Sequence, residues 1–91
     1  MKTYMVYTED MNREKVKEIV AREFDCFTLL SGLGYWVGKC TPHRIYDERS
    51  LIIVILTDER EKIELVAGEI KGINDQESVM VTSFETEMEM I

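Results

Sequence analysis

The sequence has little of what small secreted proteins and membrane proteins depend on. It contains two cysteines, one proline, one tryptophan and one histidine in 91 residues. Two cysteines do not make the dense disulfide framework of a small secreted domain. The longest apolar run, Leu51 to Leu56, is too short to span a bilayer, and the N-terminus lacks the long apolar run of a signal peptide. These absences predict a cytoplasmic protein with reduced cysteines and no membrane partner.

Basic charge is also scarce. The chain carries 11 Lys and Arg against 18 Asp and Glu, a formal net charge of -7. Such a surface repels phosphates, which excludes a protein that binds nucleic acid directly along its length. The acidic excess lies in residues 58–91, where the only basic residues are Arg60, Lys62 and Lys71, whereas acidic and basic residues balance in residues 1–57.

What the chain does contain is a strand–helix–strand pattern that occurs twice. Apolar residues at helical spacing predict helices over residues 11–23 and 58–72, and runs of branched and aromatic residues predict strands at residues 3–7, 25–30, 49–57 and 78–84. The order β-α-β-β-α-β predicts one ferredoxin-like α+β domain over residues 1–91, an antiparallel sheet with both helices on one face. The first and third strands are apolar on both faces, which places them at the centre of the sheet.

The connection between the second and third strands, Gly34–Glu48, is the first place to expect function. It is longer than a compact domain needs, and it holds the only Trp, the only Pro and the only His of the chain. Its aromatic side chains suit stacking on a ligand or anchoring a partner, and its basic ones suit an anion. The candidate binding residues are Tyr35, Trp36, Lys39, His43, Arg44 and Glu48. The alternative is a structural hairpin whose Trp covers the sheet edge.

Sites for metals and for catalysis are less well supported by the sequence. Cys40 and His43 have half the spacing of a zinc site, but a second paired motif is missing, so no metal or other cofactor is predicted. Cys40, His43 and Asp47 resemble a nucleophilic arrangement, but nothing near them supplies an oxyanion hole. We therefore expect a protein that is not an enzyme. An enzyme using His43 with Tyr35 or Tyr46 is the least favoured alternative.

The C-terminal residues form a second informative stretch. From Val79 to Ile91 the sequence alternates, with Glu85, Glu87 and Glu89 on one parity. Residues 84–91 are either an acidic strand extension, which pairs with another subunit, or an acidic tail. On a strand these carboxylates would repeat every ~7 Å, close to the phosphate spacing of a DNA strand. This motivates an alternative function: an acidic inhibitor, of the kind phages encode, that mimics nucleic acid or blocks a basic partner surface.

The chain resembles a known family. Its length, its order β-α-β-β-α-β and the long connection Gly34–Glu48 are similar to those of the nitrogen-regulatory P-II-like group. Three short stretches are similar to small bacterial and phage proteins of that fold: Phe27-Thr28-Leu29-Leu30 with Gly34-Tyr35-Trp36, then Glu48-Arg49-Ser50-Leu51-Ile52-Ile53, then Asn74-Asp75-Gln76-Glu77-Ser78-Val79. The resemblance implies a homo-oligomer, a dimer or trimer built through the sheets, and nucleotide binding between subunits. The family's tyrosine-bearing modification motif and its Gly-rich basic stretch have no match.

Composition, connection and resemblance together lead to one principal hypothesis. We expect a regulatory-type, non-enzymatic protein that binds a small anionic ligand or a protein partner through Gly34–Glu48.

Overall fold

The computed structural model describes residues 1–38 and 44–91. Its elements, in chain order, are β1 (Lys2–Glu9), α1 (Arg13–Glu23), β2 (Thr28–Val37), β3 (Ile45–Thr57), α2 (Arg60–Ile73) and β4 (Met80–Glu85). Within the described part of the chain, neither helix has the length and apolar character needed to cross a membrane. The predicted order β-α-β-β-α-β is confirmed.

The four strands form one antiparallel sheet in the order β2-β3-β1-β4. β1 and β3 lie at the centre, as their apolar composition on both faces predicts. Alternate residues of these strands pack against the apolar stripes of both helices, so both helices lie on one face. The strand residues of this core include Tyr4, Val6, Leu51, Ile53 and Ile55, all fully or almost fully buried.

The residues of opposite parity form the other face of the sheet, which no helix covers. We call it the open face. It is apolar although it is largely accessible, and its register pairs Met5 with Val54 and Tyr7 with Ile52. Its apolar members are Met5, Tyr7, Leu30, Trp36, Ile52, Val54, Leu56, Met80 and Phe84. An apolar surface of this extent is typical of an interaction site.

The main difference from the sequence prediction concerns the connection Gly34–Glu48. Most of its described residues belong to strands, because β2 continues to Val37 and β3 begins at Ile45. The amide of Gly38 donates to the carbonyl of Arg44 over 2.8 Å and continues the ladder. The connection is therefore a long β-hairpin that projects past the end of β1, whose pairing with β3 stops at Glu9 and Ser50.

The helix ends also differ from their predicted positions. The sequence predicts the first helix from residue 11, but the helix begins at Arg13, after Asn12, which has a left-handed backbone conformation with φ 55°. The second helix does not stop at Gly72 and continues to Ile73. Asn tolerates the left-handed region better than other non-glycine residues, and this explains the entry at Asn12.

A buried polar contact joins the end of α2 to the end of β1. The side-chain amide of Asn74 donates to the Thr8 hydroxyl over 2.9 Å and to the Glu9 carbonyl over 3.3 Å, and its oxygen accepts from Asn12 over 3.1 Å. Asn74 and Thr8 are both almost fully buried. Since buried polar groups are costly when unpaired, this network fixes where the chain leaves α2 and approaches β4.

Replacing Asn74 with Ala tests this contact. The change leaves the buried Thr8 hydroxyl and the Glu9 carbonyl short of a donor, so we expect a loss of about 1–3 kcal/mol in the free energy of unfolding. The measurement is urea unfolding followed by circular dichroism. The matched control is Ser83→Ala on β4, an exposed position, for which we expect a change within about 0.5 kcal/mol. Equal stabilities for the two variants would contradict the assignment.

Candidate functional site

The candidate site is a cleft at the end of the open face, between the β2–β3 hairpin and the start of β4. We call it the Trp36 cleft. Its volume is about 330 Å³, within the range of small-molecule sites. The lining residues come from β1, both hairpin strands and the segment that follows α2. They are Tyr7, Thr8, Gly34, Tyr35, Trp36, Glu48, Ser50, Gln76, Ser78 and Met80.

The aromatic part of the site is a stacked pair. Trp36 and Tyr46 lie directly opposite each other on β2 and β3, with ring centroids 4.4 Å apart and an angle of 18° between the ring planes. Offset stacking of this kind orients both rings. The pair remains 52% and 39% exposed, respectively. A flat aromatic surface is therefore held in place with area still available to a ligand.

Two glycines make room for these groups. A Cβ on Gly34 would come within 2.9 Å of the Ser50 hydroxyl, and a Cβ on Gly38 would come within 2.9 Å of the Tyr46 ring. Neither glycine has a positive φ, so they supply space and not an unusual backbone conformation. Gly34 lies opposite Glu48 in the register, and the missing side chain leaves the Glu48 carboxyl open to the cleft.

Of the described residues, Glu48 alone brings an acidic side chain to the lining of the Trp36 cleft. Burial raises the pKa of the Glu48 carboxyl, and the nearby Glu9 carboxylate raises it further. On the other side of Trp36 and Glu48 lies a second, wider groove of about 570 Å³, lined by Glu9, Asp10, Trp36, Tyr46, Asp47, Glu48 and Arg49. Both cavities therefore present negative charge next to aromatic surface. Of the described residues, none with a basic side chain lines the Trp36 cleft.

Gln76 contributes an oriented hydrogen-bond donor. Its Oε1 accepts a hydrogen bond from the Thr8 hydroxyl and another from the Glu9 amide over 3.3 Å. These two donors fix which end of the side-chain amide is the oxygen. The Nε2 group has no acceptor among the residues that the structure describes, and Gln76 lines the cleft. An amide held this way can donate to a ligand.

The structure brings together only some of the residues predicted for the site. Tyr35, Trp36 and Glu48 line one cleft, as expected of a single site. Arg44 is exposed and lines neither this cleft nor the wider groove. Lys39 and His43 lie outside the described residues, as does Cys40 of the rejected zinc motif. Sequence reasoning missed Tyr7, Ser50 and Gln76, because sheet pairing alone brings β1, β3 and the segment after α2 to one place.

The predicted acidic surface is not one continuous strand. β4 ends at Glu85, whose carboxylate lies 3.8 Å from the N-terminal amine, and residues 86–91 follow outside the sheet. Glu87 and Glu89 are exposed on this tail. The regular spacing expected of a strand therefore does not extend to them, and the alternative function as an acidic inhibitor stays a prediction.

The raised pKa of Glu48 predicts a pH-dependent stability. The folded protein holds this proton more tightly than the unfolded chain, so the stabilisation is present below the ordinary pKa of Glu and is lost as pH rises through the raised value. Glu48→Gln should therefore raise Tm relative to the parent at pH 7, by about 2–4 °C. The difference should shrink as the pH falls to ~4. Glu87→Gln, in the exposed tail, is the control and should show no such trend across the pH series.

Comparisons with known proteins agree with the fold just described. No family model and no curated protein matches the chain. Among solved structures, the chain is similar to a phage SAM lyase in complex with S-methyl-5'-thioadenosine, at 18% identity over 92% of this chain and 80% of that one, with a TM-score of 0.71.

Two further solved structures link the chain to the PII-like proteins. The PII-like protein CutA from Nostoc is 16% identical over 96% of this chain and 82% of its own, with a TM-score of 0.66. The GlnK–ATP complex from B. subtilis is 16% identical over 91% and 80% of the two chains, with a TM-score of 0.59. The chain therefore has the ferredoxin-like fold of the PII-like proteins.

Proposed function

We propose that the protein binds a small sulfonium nucleoside, of the S-adenosylmethionine class, in the Trp36 cleft. The observation that carries this proposal is the combination of a stacked aromatic pair with a carboxyl of raised pKa, in a cleft whose described lining has no basic residue. The ligand expected from the sequence was an anion. The lining favours a cation instead.

The ligand's charge can be inferred from the electrostatic energy of the cleft itself, in which the ionised form of Glu48 is unfavourable. Burial disfavours the ionised form of Glu48, and repulsion by the Glu9 carboxylate disfavours it further. A cation beside Glu48 removes both costs, whereas a phosphate would add a third negative group without a described counter-charge. The exposed faces of Trp36 and Tyr46 also attract a cation through their ring quadrupoles.

The remaining groups of the cleft suit the other parts of such a ligand. The nucleobase has a flat face that can stack on the Trp36 and Tyr46 rings. Gln76 Nε2 can donate to an acceptor of the ligand, either a base nitrogen or a carboxylate, and Ser50 adds a hydroxyl to the lining. The similar phage structure is named for a SAM lyase, and this makes S-adenosylmethionine the first sulfonium to test.

Cleavage of the bound sulfonium is the second candidate function. The observation favouring it is that Glu48 and the aromatic pair form one wall, where a sulfonium can be held away from bulk water. Formation of S-methyl-5'-thioadenosine breaks one sulfur–carbon bond, and the bonding pair passes to sulfur, which becomes a neutral thioether. The amino-acid fragment balances its charge by closing on its own carboxylate, so no co-reactant is consumed.

Calorimetric titration tests the binding proposal. S-adenosylmethionine should bind at least about tenfold more tightly than S-adenosylhomocysteine, because the two differ mainly in the positive charge on sulfur. ATP, which carries the opposite charge, should give no binding heat. Chromatography of the same mixture for S-methyl-5'-thioadenosine separates binding alone from cleavage.

Variants connect this result to the cleft. Glu48→Gln should weaken S-adenosylmethionine binding by about tenfold or more, because it removes the negative charge that the sulfonium would face in the cleft. Glu87→Gln is the matched control. Tighter binding of ATP than of S-adenosylmethionine, or full binding by Glu48→Gln, would overturn the proposal.

We further propose that the protein is a homo-oligomer, a dimer or trimer, with its open faces turned inward. The open face is apolar, and the edge strand β2 carries no charged side chain and no proline in its ten residues. Natural edge strands usually carry such residues to prevent pairing. An edge without them and an adjoining apolar face suit a second copy of the chain.

Light scattering after size exclusion tests the assembly. The expected mass is two or three times the 10.7 kDa of one chain. Ile52→Glu places a charge on the open face and should yield monomers, whereas Leu65→Glu, at a half-exposed position on α2, should leave the mass unchanged. Circular dichroism verifies that both variants fold. A monomeric parent at 100 μM, or an oligomeric Ile52→Glu variant, would refute the assembly.

A further inference from the structure

A second cavity lies at the opposite end of the sheet from the hairpin. We call it the tail cavity. Its volume is about 340 Å³, and it is lined by Met1, Cys26, Phe27, Thr28, Val54, Leu56, Met88 and Met90. Four of these eight residues carry sulfur. The described lining includes no carboxylate, imidazole, lysine or arginine side chain.

Hydrogen bonds between the two ends of the chain explain why sulfur-containing residues from both ends line one cavity. The amide of Thr86 donates to the Met1 carbonyl over 2.9 Å, and the hydroxyls of Thr86 and Thr3 are hydrogen-bonded. These bonds tie the tail back against the start of β1. Met88 and Met90 are two residues apart, which in extended backbone puts both thioethers on the same side. Met1 and Cys26 reach the same cavity from the chain start and from the segment before β2.

The four sulfur residues are accessible and not simply core packing. Met88 and Met90 are 48% and 87% exposed, and Cys26 is exposed as a free thiol. Buried methionine that fills a core gap would be covered on all sides. Here the side chains surround a space that they leave open, and each has rotatable bonds that allow its sulfur to move toward a common point.

The chemistry of these donors selects a class of ligand. Thioether and thiolate sulfur are soft donors, which prefer Cu(I) to hard cations such as Mg²⁺ or Ca²⁺. Among the described residues, no group of three or more His, Cys, Asp or Glu side chains is placed to hold a metal, so a site for a borderline divalent ion has no other donors here. One thiolate balances the single charge of Cu(I), and Phe27, Val54 and Leu56 in the rest of the lining offer no competing hard donor.

We propose that the tail cavity binds Cu(I) through the sulfur atoms of Cys26, Met1, Met88 and Met90. Binding displaces the thiol proton of Cys26 and leaves the oxidation state of the metal unchanged, so no oxidant or reductant is required. The site is separate from the Trp36 cleft and does not depend on the function proposed for it.

Anaerobic titration of the reduced protein with Cu(I), in competition with bicinchoninate, tests this site. We expect one tightly bound ion per chain and, by X-ray absorption, only sulfur neighbours around it. The double variant Met88→Leu/Met90→Leu keeps the side-chain volume and should weaken binding by at least about tenfold. Cys26→Ser should weaken it at least as much. The control, Met11→Leu, changes an exposed methionine that lines neither cavity and should bind as the parent does.

Three outcomes would overturn the proposal. They are the absence of a bound ion in the parent, unchanged affinity in Met88→Leu/Met90→Leu, and loss of binding in Cys40→Ser with retention in Cys26→Ser. The last result would assign the metal to the other cysteine of the chain.

Discussion

The features that bear on function all depend on β3, a strand that is apolar on both faces. One face, with Leu51, Ile53 and Ile55, packs against the helices and forms the core. The other face, with Ile52 and Val54, gives the sheet an apolar surface that no helix covers. A strand of this composition is stable only with both faces covered. The monomer covers one of them, and the composition of β3 therefore supports the proposed homo-oligomer.

The same strand determines where the two cavities lie. Its N-terminal end runs past the end of β1 and, with β2, builds the hairpin that carries Trp36 and Glu48. Its C-terminal end supplies Val54 and Leu56 to the tail cavity. The open face joins these two ends. An oligomer that buried this face would therefore border both cavities, and ligand binding at either end would be coupled to assembly.

Periodicity was sufficient to predict the element order, because helices and strands bury side chains at different intervals. The six-residue apolar run of β3 also predicted the centre of the sheet. The length of the hairpin was not predictable in this way. Gly34, Gly38 and Pro42 are typical of a loop, yet Gly34 lies inside β2, where it is required for space against Ser50. Space between strands depends on register, which local composition does not specify.

The candidate site also combines residues that local sequence indicates with residues that only long-range contacts bring to it. The sequence predicts Trp36 and Glu48 as site residues because unusual residue types cluster in one connection. Gln76 lies 28 positions after Glu48 in the chain, and its role depends on two hydrogen bonds from β1. No pattern within the segment after α2 distinguishes this glutamine from a solvated one. The signal that could have indicated it is the short Asn74–Val79 stretch, which the resemblance to small bacterial and phage proteins of the P-II-like fold included.

The structure changes the conclusion that was drawn from the charge of the chain. The net charge of -7 and the basic residues of the connection suggested an anionic ligand held against an acidic background. In the folded chain, burial raises the pKa of the Glu48 carboxyl, and the nearby Glu9 carboxylate raises it further. Both effects oppose ionisation of Glu48, and a proton or another cation beside the carboxylate offsets them. A cation that binds there displaces the proton and lowers the pKa of Glu48 toward its ordinary value. Binding and proton release are then linked, and the affinity for a cation must rise with pH through the range in which free Glu48 titrates.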